Sequence, residues 1–390
     1  MGRKISLFSA GIIFLIIFFE LTGPVAACTT GLAAGSATRH GRPLLWKNRD
    51  SGNRENEVAF FRHGDTWFLG IINADDTTQV WAGVNNHGFA IMNAESLDMA
   101  VQGEATEYDD EGYFMKAALL RCRTIDDFEM MLRETNSPGR KVTSNFGAID
   151  ALGAAAFFET GNHEYFRFDA SDTPDGFLVR ANFATQARSE EGYGKIRFQR
   201  AAELFGAAAR KRHLDARYVI GRVSPDVFLE SSEDGTEETV RAQDTVNRFR
   251  SVAAAIFEGA HRGENREMTT FWCTLGEPAA SVSIPLWTYA QGVPALLDSP
   301  GGSSFNQAFR ELKDGLYPGE NPQMLSLEKL RGLREELDRT QAKIFRKTRR
   351  QRLFWNIRKP SRAQVAIFQE EMARLAMRKA TKLKQSFISD

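Results

Sequence analysis

Cysteine is scarce. Only Cys28, Cys122 and Cys273 occur in 390 residues. If Cys28 has a role of its own, the other two either pair in an oxidising compartment or stay as buried thiols. The stretch of chain between them says nothing about their distance in space. Metal-ligand patterns are missing too: the 6 histidines never fall at His-x-x-x-His spacing and no Cys-x-x-Cys occurs, so no metal or cofactor is expected. Net charge is zero, with 50 Lys+Arg against 50 Asp+Glu. Aromatics do not interleave with the basic residues as they do on a nucleic-acid surface, so no nucleic-acid partner is expected. No repeat or low-complexity segment stands out. The longest apolar run falls short of the roughly 20 residues that span a bilayer, which weighs against an uncleaved membrane anchor.

What is present begins with that run. Arg3 and Lys4 precede the apolar stretch Leu7 to Phe19, and Val25-Ala26-Ala27 follow it. A charged start, an apolar middle and small residues at the end make a secretory signal over 1–27. The mature protein is then expected to be secreted or periplasmic. Cleavage after Ala27 would leave Cys28 first, with thiol and free α-amine on one residue. An α-amine titrates near pH 8, so it can serve as general base for its own nucleophile. The same four residues, Val25 to Cys28, also fit a lipobox, in which Cys28 is lipidated, its amine blocked and the protein anchored to a membrane. The residues after Cys28 have to decide.

The first half alternates β-rich stretches with polar turns. Val80 to Val84 and Phe89 to Asn93 flank a turn at Asn85-Asn86-His87-Gly88. Apolar residues at helical spacing predict one helix over Phe114 to Glu134. Strands follow at Ser144 to Asp150, Ala154 to Glu159 and Phe177 to Asn182, then a helix at Arg197 to Ala209 and a hairpin over Thr269 to Pro285. Layered strands with a few helices give an α/β sandwich. After residue 320 the character changes: 321–390 carries 18 Lys+Arg against 7 Asp+Glu. Leu325 to Gln351 and Ala363 to Lys384 read as two basic amphipathic helices joined near Pro360. They are either a solvated hairpin packed on the core or a cationic surface for anionic lipid or another subunit.

From Cys28 the chain runs through a turn at His40-Gly41 and returns in Trp46-Lys47-Asn48-Arg49-Asp50. A hairpin of this length sets Asp50 beside Cys28, where it could orient the amine. Lys47 or Arg49 could supply the cation that favours thiolate.

On these residues the chain resembles the N-terminal-nucleophile hydrolases, in the branch holding choloylglycine hydrolases, penicillin V acylases, acid ceramidase and penicillin acyltransferase-like peptidases. That branch opens on Cys-Thr and carries a Gly-Arg-Asn-x-Asp element shortly after. Here Cys28-Thr29-Thr30 precedes Lys47-Asn48-Arg49-Asp50, with Lys47 in the arginine's place. Trp81 to Asn93 resembles the family's Gly-x-Asn-x-x-Gly-Leu hairpin, whose far end, Asn93, bears a polar residue near the nucleophile. Val179 to Phe183 resembles the strand end that supplies an oxyanion asparagine, Asn182. Arg197-Phe198-Gln199-Arg200 resembles a helix start whose first arginine faces the active site. The likeness covers roughly Cys28 to Arg200 and weakens toward 290.

The resemblance implies an αββα sandwich over 28–305 with a helical extension at 306–390. It implies a linear-amide hydrolase whose substrate is a small amide with an acyl group. Cys28 would attack, Asp50 orient the amine, Asn182 hold the oxyanion with Asn93 or a backbone N–H, and Lys47 and Arg197 balance charge. If another acceptor outcompetes water, the enzyme is an acyltransferase. A Cys-Thr-Thr-type dipeptidase shares the nucleophile and is the alternative enzyme; a lipoprotein with no catalysis is the non-enzymatic one.

Overall fold

The computed structural model describes residues 27–104, 110–228, 238–299, 301–318 and 321–387. Except for Ala27, the expected signal segment lies outside them. Two antiparallel sheets stack face to face. The first comprises β1 (Cys28–Ala33), β2 (Leu44–Asp50), β10 (Phe177–Arg180), β12 (Ser251–Glu258), β13 (Thr270–Leu275) and β14 (Ile284–Leu286), in the order β10-β1-β2-β12-β13-β14. The second is a meander in chain order: β3 (Asn56–His63), β4 (Thr66–Asn73), β5 (Ala82–Asn85), β6 (Ala90–Glu95), β7 (Ser144–Ile149), β8 (Ala155–Thr160) and β9 (Tyr165–Asp169). A short ladder of β11 (Thr239–Arg241) and β15 (Met324–Ser326) stands apart.

Helices close both outer faces. On the second sheet lie α1 (Glu111–Arg121) and α2 (Ile125–Asn136). On the first, α3 (Lys195–Arg210) covers β1 and β10, and α4 (Ala216–Tyr218) runs into a π turn at Val219–Val223. Beyond them α5 (Ser304–Asp314), α6 (Leu327–Ile357) and α7 (Arg362–Phe387) cover the β13–β14 side. The layer order is αββα, as the sequence leads one to expect.

The middle strands show why alternation alone reads them poorly. Every residue of β2 is buried, because one face meets the other sheet and the opposite face meets helices. Trp46 turns outward to pack its ring, tilted, at 5.7 Å from that of Phe205 of α3. Leu45 turns inward to β7, close to Gly147. Burying an apolar side chain such as Leu45 is worth roughly 1.5–3 kcal/mol, while the polar half of the strand, Lys47 to Asp50, is held by hydrogen bonds. Gly31 of β1 is needed for the same packing. A Cβ there would come within 2.8 Å of the Phe205 ring, so only glycine lets the helix lie so near.

Two expectations change, and one of two open alternatives is met. The helix predicted over Phe114 to Glu134 is two, split at Cys122. Thr124 accepts from the Asp127 N–H and Asp127 accepts from the Thr124 N–H, a capping box that starts a new helix. The boundary expected at 305 falls inside α5, whose Phe305 and Phe309 belong to the same core as the first sheet. Cys122 and Cys273 are unpaired and sit in separate cores. Burial pushes the Cys122 thiol up to about 12, with nearby Asp127 adding to the rise.

Candidate active site

The β1–β2 pairing sets the site. Cys28 opens β1 and lies directly across from Arg49, with Thr30 across from Lys47. Cys28 is only 5% exposed and Ala27 before it 1%, so the Ala27–Cys28 bond is inside the fold. In this uncleaved chain the Cys28 nitrogen is a peptide amide standing where an α-amine would be after cleavage. It donates to Asn182 Oδ1 at 2.8 Å. The Asn182 carboxamide can point only one way. Its oxygen also accepts from Arg197 Nη2 at 3.0 Å, and its Nδ2 donates to the Glu95 carbonyl at 3.0 Å.

Arg197 holds the other end of the residue. Its Nη1 donates to the Cys28 carbonyl and to Thr29 Oγ1, both at 2.8 Å. One guanidinium therefore ties Cys28, Thr29 and Asn182 together. Burial lowers the Arg197 pKa, Asp50 opposes that shift and Arg248 adds to it. Gly194, the residue before α3, makes room for this arginine. Its φ is +87°, and a Cβ there would run into the Arg197 guanidinium. Arg200, the competing candidate, turns away and pairs with Asp226 at 3.0 Å.

Lys47 and Arg49 both point between the sheets, since they are two apart on one strand. Lys47 Nζ donates to the Trp81 carbonyl at 2.9 Å and to Asn93 Oδ1 at 2.5 Å. The other hydrogen bond of Asn93 runs from Nδ2 to Ser144 Oγ, long at 3.4 Å. Arg49 donates to Asn56 Oδ1 at 2.5 Å and to Asn73 Oδ1 at 2.8 Å, and its guanidinium lies 4.9 Å from the Trp81 ring centre. Asp50 accepts from Ser251 Oγ at 2.6 Å and from Arg248 Nη1 at 3.2 Å. The expected division put Asp50 at the Cys28 nitrogen and Asn182 at the oxyanion. These hydrogen bonds place Asn182 at the nitrogen and engage Asp50 elsewhere.

All six expected residues converge on one place. Cys28, Lys47, Asp50 and Asn93 line a single cavity of about 80 Å³, together with Arg49, Ser51, Asn73, Trp81, Glu95 and Glu111. Asn182 and Arg197 join it through Cys28. Asn85 stays outside: its carboxamide bridges the turn and two carbonyls of the α1–α2 junction. Sequence reasoning missed Arg248, Ser251, Glu95, Glu111 and Tyr193. The Tyr193 phenol is pushed up by burial first, then by Glu95 and Cys28. None of the five sits in a recognisable motif. Among the described residues no group of three His, Cys, Asp or Glu could hold a metal ion.

No family model and no curated protein matches the chain. Solved structures of similar shape include a mutant of conjugated bile acid hydrolase from Clostridium perfringens, at 13% identity and TM-score 0.42, covering 67% of this chain and 92% of that one. An ortholog of N-acylethanolamine-hydrolyzing acid amidase from Caenorhabditis elegans matches at 13% identity and TM-score 0.43, over 63% of this chain and 99% of that one. Penicillin V acylase from Agrobacterium tumefaciens matches at 13% identity and TM-score 0.38, over 67% and 85%. Likeness this distant carries nothing about substrate or chemistry, which rest on the residues around Cys28.

Proposed function

We propose that the chain, cut between Ala27 and Cys28 on secretion, hydrolyses a linear amide through a thioester on Cys28. One observation carries the reading: both ends of the Cys28 backbone are gripped, the nitrogen by Asn182 and the carbonyl by Arg197. A structural cysteine needs no such grip. A nucleophile whose own amine is its base does, because amine and thiol must hold a fixed mutual geometry.

The steps follow from the placement. The α-amine takes the thiol proton while Asn182 Oδ1 orients it. The thiolate attacks the amide carbonyl, and the oxyanion meets Asn93 Nδ2, whose bond to Ser144 is long enough to yield. Loss of one such donor costs roughly 10²–10³ in rate. The protonated amine passes its proton to the leaving amine as the C–N bond breaks. Water, deprotonated by the same amine, then releases the acid and restores the thiol. An amine that displaces water at this last step would make the enzyme an acyltransferase. Lys47 and Asp50 set the charge around the cavity, Asp50 being fixed by Ser251 and Arg248.

The lining favours a second reading of the substrate. Lys47, Arg49, Asp50, Glu95 and Glu111 surround the cavity, with Trp81 as its large apolar wall. Such walls suit a small amide carrying both charges, as a dipeptide does, better than a long acyl chain. A panel of N-acyl amides and dipeptides, run with the native chain and with Cys28→Ala, tests the proposal. Turnover lost in the variant supports it; turnover kept by the variant rejects it.

A further inference from the structure

The sharpest concentration of charge lies far from Cys28 in sequence, at the elbow between α6 and α7. Residues 343–362 contain nine lysines and arginines and no aspartate or glutamate. Arg346, Arg349, Arg350, Arg358 and Lys359 are all exposed, and none reaches a carboxylate among the described residues. A run of one sign left unpaired raises the local potential and seeks an anionic partner.

Apolar side chains crown the same corner. Leu353 is 57% exposed, Phe354 48%, Ile357 84% and Ile367 68%. These are four of the nine large hydrophobic residues exposed among the described part of the chain. Positions 346, 350, 353 and 357 fall three or four apart, so arginines and apolar tips share one stripe of α6. The exposure is not fraying. Trp355, on the other side of the helix, packs edge-on against Trp287 and Phe368, each at 5.5 Å. Tyr289 donates its hydroxyl to the Pro360 carbonyl at 3.1 Å. The corner is anchored from below and left bare above. Beneath it opens a second cavity of about 380 Å³ whose walls include Tyr289, Trp355, Arg352 and Lys359.

We propose that this elbow seats the protein on an anionic phospholipid bilayer, the apolar tips entering the head-group boundary and the arginine collar meeting lipid phosphates. A cationic face with large apolar residues at its edge is what an interfacial helix presents. No helix of the described residues is long and apolar enough to cross a membrane, so the contact is with the surface. A second copy of the chain fits poorly: a two-fold contact would bring two unpaired cationic elbows together.

The test is co-sedimentation of the full chain with vesicles of phosphatidylcholine alone or with one third phosphatidylglycerol. Binding is expected to the anionic vesicles and to weaken as salt rises. Phe354→Ser with Ile357→Ser, and separately Arg346→Glu with Arg349→Glu and Arg350→Glu, should each cut partitioning at least tenfold. Both leave hydrolysis of a soluble amide unchanged. Leu152→Ser, an equally exposed apolar residue elsewhere, should bind as the native chain does. Equal binding to neutral vesicles, binding kept by the elbow variants, or a dimer that these variants dissolve would each overturn the proposal.

Discussion

Arginine and lysine are used in opposite ways at the two ends of this molecule. Around Cys28, Lys47, Arg49, Arg197 and Arg248 are buried and held by named oxygens of neighbouring strands. At the α6–α7 elbow, Arg346, Arg349, Arg350 and Arg358 stand in solvent without a carboxylate partner among the described residues. Taking a cation out of water costs several kcal/mol unless hydrogen bonds replace its hydration. The buried set therefore has to be fully satisfied and sits in one geometry. The exposed set has nothing to fix it in place and is poised to meet a partner. The same residue types form a rigid site in one region and an adaptable surface in the other.

Truncating one arginine in each region should give the largest difference. Arg197→Met removes bonds to Cys28, Thr29 and Asn182 at once. Such a change should lower stability by about 1–3 kcal/mol for each neutral acceptor left bare and kcat/KM by about 10²-fold through misplacement of Cys28. Arg350→Met, measured by the same urea titration and assay, should change stability by no more than about 0.5 kcal/mol. Equal losses at the two positions would erase the distinction.

Gly194→Ala sharpens the contrast without touching a charge. The left-handed φ costs roughly 1–3 kcal/mol for a residue with a Cβ, and the added methyl displaces the Arg197 guanidinium. Thermal unfolding and steady-state kinetics should report a lowered Tm together with a fall in kcat of about tenfold or more. Gly64 also has a positive φ, but its Cβ would meet nothing within 4 Å. Gly64→Ala should therefore carry the backbone cost alone and leave kcat intact.

At neutral pH the smallest effect belongs to Cys122, which lies in neither region. Its pKa in the folded chain is raised from 9.0 to about 12. The folded state keeps a proton that the unfolded state releases, so this stabilisation is complete below pH 9 and drains as pH rises toward 12. Each pH unit in that window costs about 1.4 kcal/mol. Urea titrations at rising pH should show a flatter alkaline decline for Cys122→Ala than for the native chain. Iodoacetamide should spare Cys122 in the folded protein.

What the sequence revealed follows from locality. Cys28 and its return strand are contiguous, so the β1–β2 hairpin and the nearness of Lys47, Arg49 and Asp50 could be read directly. Asn182 and Arg197 were found because each belongs to a short recognisable stretch. Arg248 and Ser251 were not: they reach Asp50 from about 200 residues away, through the pairing of β2 with β12, and no local pattern announces that. The roles of Asp50 and Asn182 were also beyond sequence reading. Both are short polar side chains near Cys28, and only hydrogen-bond direction separates them. The split at Thr124 was missed because apolar periodicity runs through it; the cap is one side chain, and periodicity averages over many.

On the proposed mechanism Cys28, freed of Ala27, forms the acyl-enzyme. Mass spectrometry of the N-terminal peptide, after a brief incubation with a turned-over amide and an acid quench, tests it most directly. The expected result is a peptide beginning at Cys28 that carries the acyl mass and loses it to hydroxylamine. A peptide extending through Ala27, or a lipidated Cys28, from a protein that still turns over its substrate would contradict it.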